Sequence, residues 1–249
     1  MKKFLVALLF APLLAIVGSP AGAAGGDYRL DHVPNDLRDM VSLQAGARTF
    51  VNYCMNCHGA QFMRYNRLTD IGLTLDQIRD NLMPAGDKVG DTMVVAMSAK
   101  DAKNWFGVMP PDLSVIARSR SADWLYTYLR TFYRDPKSPT GWNNAAFPQV
   151  AMPHVLWTLQ GERAYQRVEV KDKAGQVTGI EHKWTQLSPG ALSTVQYDVM
   201  ARDLVNFLVY VGDPSALSRK RIGIWVLFVL GILFCFAYAL KREYWKDIH

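Results

Sequence analysis

Five consecutive residues carry the strongest chemical signal in the sequence: Cys54-Met55-Asn56-Cys57-His58. This is C-x-x-C-H, the attachment pattern of a c-type haem. Two thiols three positions apart fall on one helical turn, where each can form a thioether with a haem vinyl group. The adjacent imidazole then meets the iron from one face. A thioredoxin-like redox pair would need a βαβ setting that this segment lacks. A structural zinc site needs four ligands, and the remaining cysteine, Cys235, falls in an apolar stretch near the C-terminus. A Cys54–Cys57 disulfide would leave His58 unexplained. The pattern predicts one covalent haem c.

The sixth ligand of such an iron decides its use. An open position suits gas binding or peroxide chemistry, whereas a methionine closes the site and raises the reduction potential, as electron transfer requires. Among the ten methionines, Met109 and Met152 each precede a proline in a loop, where a side chain can be held rigidly outside a helix. Closeness to His58 favours Met109, and His154 would make a bis-histidine iron. On residue pattern alone all three stay open.

These residues must be positioned by a mostly helical, loop-rich domain. The pattern predicts a helix over 45–53 running into the cysteine motif. A capping box at Thr74-Leu75-Asp76-Gln77 opens a helix to about residue 83. Ser98 and Ser121 are N-cap candidates for helices over 99–106 and 122–133. The longest helix opens at Ser193-Thr194-Val195-Gln196 and ends at Gly212-Asp213-Pro214. One small β-hairpin is expected, 167–171 against 177–184 around Lys173-Ala174-Gly175-Gln176. The fold class is therefore mainly α, with that hairpin and a single C-terminal transmembrane helix.

Both ends of the 249-residue chain address a membrane. Residues 1–23 read as a signal peptide, with Lys2-Lys3, an apolar run over 4–17 and an Ala21-Gly22-Ala23 cleavage site. Residues 222–240 carry no charge and lie between Arg219-Lys220-Arg221 and Lys241-Arg242; as a helix they would span roughly 28 Å. The expected organisation is a secreted domain over 24–217, an anchor with its basic flank over 218–240, and a tail over 241–249. The signal peptide places the domain in the periplasm, the anchor in a bacterial inner membrane as a single pass, and the C-terminus in the cytoplasm. The formal charge of +6 sits at the two ends, and residues 24–218 hold 20 basic and 20 acidic side chains. A basic patch for nucleic acid is not implied. Asp70, Asp76, Asp80, Asp87 and Asp91 face only Arg79 and Lys88 within that stretch, and form a candidate docking patch for a basic cytochrome.

The order of parts resembles the cytochrome c1 family, in its bacterial type. This is the haem subunit of the ubiquinol–cytochrome c oxidoreductase, the cytochrome bc1 complex. The resemblance covers nearly the whole mature chain. It rests on Ala45-Gly46-Ala47-Arg48-Thr49-Phe50 and Tyr53 leading into C-x-x-C-H, then Tyr65-Asn66-Arg67-Leu68. Pro110-Pro111-Asp112-Leu113-Ser114 with Ala117-Arg118 follows, then Phe147-Pro148-Gln149-Val150-Ala151-Met152-Pro153 and the single C-terminal span. The resemblance implies that Met152 is the axial partner of His58, that Arg118 pairs with a haem propionate, and that Pro111 packs on the haem edge. Tyr65 and Trp124 would be further haem contacts, and Tyr126 and Tyr128 would line the pocket. It also implies a redox subunit with no side-chain chemistry of its own. The subunit would take one electron from a Rieske iron–sulfur protein and pass it to soluble cytochrome c, beside cytochrome b in a dimeric complex. The alternative is a free-standing anchored c-type cytochrome, either a shuttle to a terminal oxidase or a gas sensor. Some bacterial members carry an extra disulfide in the haem domain. This chain lacks the cysteines for it, so packing must brace the pocket near Met152.

Overall fold

The computed structural model describes residues 28–84, 86–95, 97–172 and 176–246. The expected signal peptide, the hairpin tip at 173–175 and the end of the tail at 247–249 lie outside the described residues.

Helix α1 (Met40–Thr49) begins earlier than its apolar pattern predicts, because the Asp39 side chain caps it by accepting from Ser42 N at 3.0 Å. It runs into a π turn over Phe50–Cys54, which takes the backbone directly into the cysteine motif. Strand β1 (Ala60–Arg64) and a 3₁₀ segment (Tyr65–Ile71) follow, then α2 (Leu75–Leu82), whose Thr74–Gln77 capping box is formed as expected. Strand β2 (Thr92–Met93) pairs antiparallel with β1. Helices α3 (Ala99–Phe106), α4 (Ile116–Arg120) and α5 (Ala122–Arg130) come next. Strands β3 (Phe132–Arg134) and β4 (Trp142–Asn144) form a second antiparallel pair. After the short α6 (Trp157–Gln160), strands β5 (Gly161–Lys171) and β6 (Val177–Pro189) make the hairpin. It is much longer than the sequence pattern indicated. Bulges near Arg163 and Lys171 break its alternation and hide its length.

Helix α7 (Thr194–Gly212), opened by the Ser193–Gln196 capping box, is the spine of the domain. It crosses α1 so closely that a Cβ on Gly46 would lie 2.1 Å from the Asp203 carbonyl oxygen and 2.6 Å from Phe207 Cβ. Only glycine allows this approach. Leu43, Ala47, Phe50, Leu204 and Phe207 are all essentially buried around it, and Phe50 and Phe207 pack at 5.7 Å between ring centroids. Each of the leucine and phenylalanine side chains contributes about 1.5–3 kcal/mol of burial. Two polar groups at the crossing find partners. Ser42 Oγ donates to Asp203 Oδ1 at 2.7 Å, and Asn206 Nδ2 donates to the Asp36 carbonyl at 2.8 Å. Arg130 ties the N-terminal segment, α5 and α7 together. It holds Asp198 through two nitrogens at 2.6 and 2.9 Å and Asp31 at 2.5 Å.

Helix α8 (Ala216–Tyr244) follows α7 after a short break at Asp213. Its 29 residues are long and apolar enough to cross a membrane, and none of its apolar window is buried in the domain.

Candidate haem site

Cys54 ends the π turn and is buried; Cys57 is half-buried one turn on. Met55 N donates to the Phe50 carbonyl, while Cys57 N and His58 N both return to the Cys54 carbonyl at 3.0 and 2.8 Å. The motif is thus coiled tightly, with both thiols and the imidazole on successive short steps of chain. Burial pushes the Cys54 thiol up to about 12, so it is held as the protonated thiol.

The Pro-Pro-Asp-Leu-Ser segment explains itself against this turn. Pro111 presents its carbonyl to His58 Nδ1 at 2.7 Å. A carbonyl only accepts, so Nδ1 carries the proton and Nε2 keeps its lone pair for a metal. Burial holds His58 below the usual imidazole range, which keeps that lone pair available. Leu113 N donates to the Gly59 carbonyl at 2.8 Å, Asp112 accepts from Gln61 N at 2.8 Å, and Ser114 Oγ accepts from Phe62 N at 3.0 Å. Four successive residues of the segment therefore zip onto residues 58–62 and hold His58 in one orientation.

Met152 lies on the aromatic face of α5. Its Sδ accepts from the Tyr128 hydroxyl at 3.3 Å, and Tyr128 stacks on Trp124 at 4.8 Å and 13°. Phe147, from the loop that carries Met152, meets Trp124 edge-on at 6.0 Å. The same helix is tied to α7 by Tyr197, whose hydroxyl donates to the Leu129 carbonyl at 2.8 Å. The loop is fastened by Asn144, which is fully buried. Its Oδ1 accepts from Ala146 N, Phe147 N and Thr131 Oγ1, while Nδ2 donates to the Tyr128 carbonyl at 2.7 Å.

The other sequence candidates fall in different places. Met109 is exposed beyond Pro110. His154 is buried as core, flat on Phe132 at 4.8 Å and 3° and edge-on to Trp142 at 5.1 Å. Tyr65 is buried, with its hydroxyl 3.6 Å from Met55 Sδ inside the C-x-x-C loop. Tyr126 turns away from Tyr128 and lies under the Arg130 guanidinium. Of the acidic run, Asp70 pairs with Arg67 and Asp91 caps Asp87 N and Lys88 N. Asp76 and Asp80 both hold Arg79. Much of the expected docking charge is engaged locally.

Arg118 lies away from the Met152 wall. Its Cγ and Cδ would lie 3.4 and 3.7 Å from a Cβ on Gly212, at the C-terminal end of α7. It lines a surface cavity of about 490 Å³ with Arg38, Asp213, Arg219 and Lys220, where α8 leaves the domain. The cation beside the Met152 wall is Arg120, whose guanidinium sits 5.2 Å from the Trp124 ring centroid and 5.9 Å from that of Phe147. Sequence reasoning missed it, although a signal was present. Arg120 immediately precedes the Ser121 N-cap, and a residue there packs on the first turn of its helix.

Comparison with known proteins gives the same family as the motifs. The family model described as the Cytochrome C1 family matches residues 190–248. A cytochrome c1 of Allochromatium vinosum is 46% identical over 245 residues, covering 97% of this chain and 99% of the relative. The chain belongs to the cytochrome c1 family. A cytochrome c1 of Rhodospirillum rubrum is 26% identical over 97% of both chains. A Nitrosomonas europaea protein named ammonia monooxygenase gamma subunit is 48% identical over 100% of this chain and 98% of its own length. As a cytochrome c1 the chain is a haem electron-transfer subunit of an oxidoreductase complex with one covalent haem c, and α8 fits a single-pass membrane anchor.

The residues present fit that haem. The imidazole is already in the metal-binding tautomer, and a thioether stands on the aromatic wall. Among the described residues Trp124 Nε1 is buried without a hydrogen-bond partner, next to the Arg120 cation. An orphaned donor beside a guanidinium is the surrounding a carboxylate would complete.

Proposed function

We propose that this chain is the anchored haem subunit of a respiratory ubiquinol–cytochrome c oxidoreductase. It takes one electron from a Rieske iron–sulfur protein and passes it to a soluble c-type cytochrome. Cys54 and Cys57 would hold the haem through thioethers, and His58 Nε2 and Met152 Sδ would be the protein ligands of its iron. Arg120 and Trp124 take the propionate role expected of Arg118. The domain lies in the periplasm, cleaved after residue 23, and the residues after α8 lie in the cytoplasm.

The observation that carries this reading is the 2.7 Å hydrogen bond from His58 Nδ1 to Pro111, which leaves Nε2 as the ligating atom. The bound haem would supply reversible one-electron chemistry at its iron. The chain's own work is to orient and exclude. Pro111 through Ser114 fix the imidazole, and the Trp124–Tyr128–Phe147 wall excludes water from the Met152 side. Arg120 offsets negative charge near that wall. No proton is transferred by any side chain. Helix α8 holds the domain beside cytochrome b, so that collision with the mobile donor happens at the membrane surface.

The test is affinity isolation of the chain from detergent-solubilised membranes. Cytochrome b and a Rieske protein should co-purify, ubiquinol should reduce the haem, and added oxidised soluble cytochrome c should take that electron and reoxidise it. Deleting residues 219–249 should leave the haem attached and abolish assembly. A chain that purifies alone and is not reduced through quinol, or a truncation that still assembles an active complex, would overturn the reading.

A further inference from the structure

Tyr128 is held by groups that leave its hydroxyl unused. Trp124 stacks on one face, Phe132 meets the ring edge-on at 5.0 Å, and Phe147 approaches at 6.5 Å. Asn144 Nδ2 fixes the Tyr128 carbonyl at 2.7 Å, so backbone and ring are both restrained. Among the described residues the hydroxyl makes one hydrogen bond, to Met152 Sδ at 3.3 Å. A thioether is a weak acceptor and does not by itself command a buried phenol. The contact exists because the aromatic cage and the Asn144 loop bring these two side chains together from positions 24 residues apart.

We propose that Tyr128 is a positioning residue for iron ligation: its hydroxyl donates to Met152 Sδ and fixes the thioether so that the second sulfur lone pair faces the iron. The inference rests on Met152 being the axial ligand. A hydrogen bond to the sulfur also withdraws electron density from it. The sulfur then stabilises the oxidised iron less than it otherwise would, so the bond favours the reduced state and raises the reduction potential.

The experiment is a redox titration with optical spectra on the intact haem-loaded chain, comparing wild type, Tyr128→Phe, Met152→Leu and a protein with 3-fluorotyrosine placed at position 128. Phenylalanine keeps the ring and its stacking. Tyr128→Phe should stay low-spin, with its redox equilibrium shifted three- to tenfold toward the oxidised form. That is a fall in potential of about 30–60 mV at 59 mV per tenfold for one electron. The more acidic fluorinated phenol keeps the cage and strengthens the donor, so its potential should move the opposite way. This response is one that a purely structural tyrosine would not give. If Met152→Leu becomes high-spin while both position-128 proteins match wild type, the tyrosine inference is wrong and the ligand reading stands. If Met152→Leu keeps the wild-type spectrum, the ligand reading fails and the inference falls with it.

Discussion

Asn144→Ala removes a buried amide that serves four partners, and its cost can be built from the fate of each. Ala146 is almost fully buried, and its N–H loses its acceptor outright. A buried orphaned donor costs about 1–3 kcal/mol. The other losses are softer. Thr131 Oγ1 already reaches the Thr127 carbonyl at 2.8 Å, and the Tyr128 carbonyl retains Thr131 N at 3.3 Å. Phe147 is 41% exposed, so water can reach its amide. Each of these contributes about 0.5–1 kcal/mol, giving a total of about 2.5–6 kcal/mol, a large share of a typical 5–15 kcal/mol stability. The loss falls on the loop that carries Met152, so it should appear as local opening before global unfolding. At 1.4 kcal/mol per tenfold, even the low end of that range should make states with Met152 off the iron about sixtyfold more populated. Carbon monoxide binding to the reduced protein reads that population directly, and urea unfolding reads the total. A variant that unfolds within about 0.5 kcal/mol of wild type and binds carbon monoxide no faster would show that the loop does not hang on Asn144.

Three further substitutions separate the alternatives. Met109→Leu and His154→Leu should keep the low-spin spectrum that Met152→Leu loses, since one residue is exposed and the other is packed flat on Phe132; a high-spin haem in either would move the ligand. Arg120→Gln should lower the potential, because a nearby cation disfavours the more positive oxidised haem. The Arg120 side chain is exposed, so the effect is about 0.5–1 kcal/mol, or roughly 20–40 mV. Arg118→Gln, beside Gly212, should leave the potential unchanged; equal shifts in both variants would refute the assignment. Ser121 sits at φ 80° and ψ 156°, a region costly for any residue with a Cβ, yet its hydroxyl caps Trp124 N at 3.2 Å. Strain of about 1–3 kcal/mol outweighs a cap that glycine replaces at a loss of a few tenths. Ser121→Gly should therefore raise stability by about 1 kcal/mol, and a melting point lowered by 2 °C or more would contradict this.

What the sequence made legible was what local chemistry controls. The caps at Thr74, Ser98, Ser121 and Ser193 each open a helix where expected, because a hydroxyl three residues before a free amide acts without help from the rest of the chain. The cysteine motif was legible for the same reason. What failed to show was non-local. The separation of Arg118 from the Met152 wall did not show because both arginines lie in α4, where residues two apart leave opposite sides of the helix, and only the folded chain shows which side meets Trp124. Asn144 gave no signal, since its partners are a helix end and a loop that the chain brings together only on folding. The hairpin was underestimated because its bulges interrupt the two-residue period that marks a strand.

The absence of a disulfide near Met152 finds its physical answer in these non-local contacts. A cross-link restrains the unfolded chain, whereas Asn144 and the Tyr128 cage act only once folded, and both depend on where α5 ends. Helix α5 is placed by the Arg130–Asp198 pair and by Tyr197, both on α7 or gripping it. The cysteine motif is placed by α1, which crosses the same α7 at Gly46. Both sides of the haem site are thus referred to one 19-residue helix, whose C-terminal end leads within a few residues into α8. With Met152 as the second ligand of the iron, as proposed, the shared packing against α7 is the brace that a cross-link would otherwise supply.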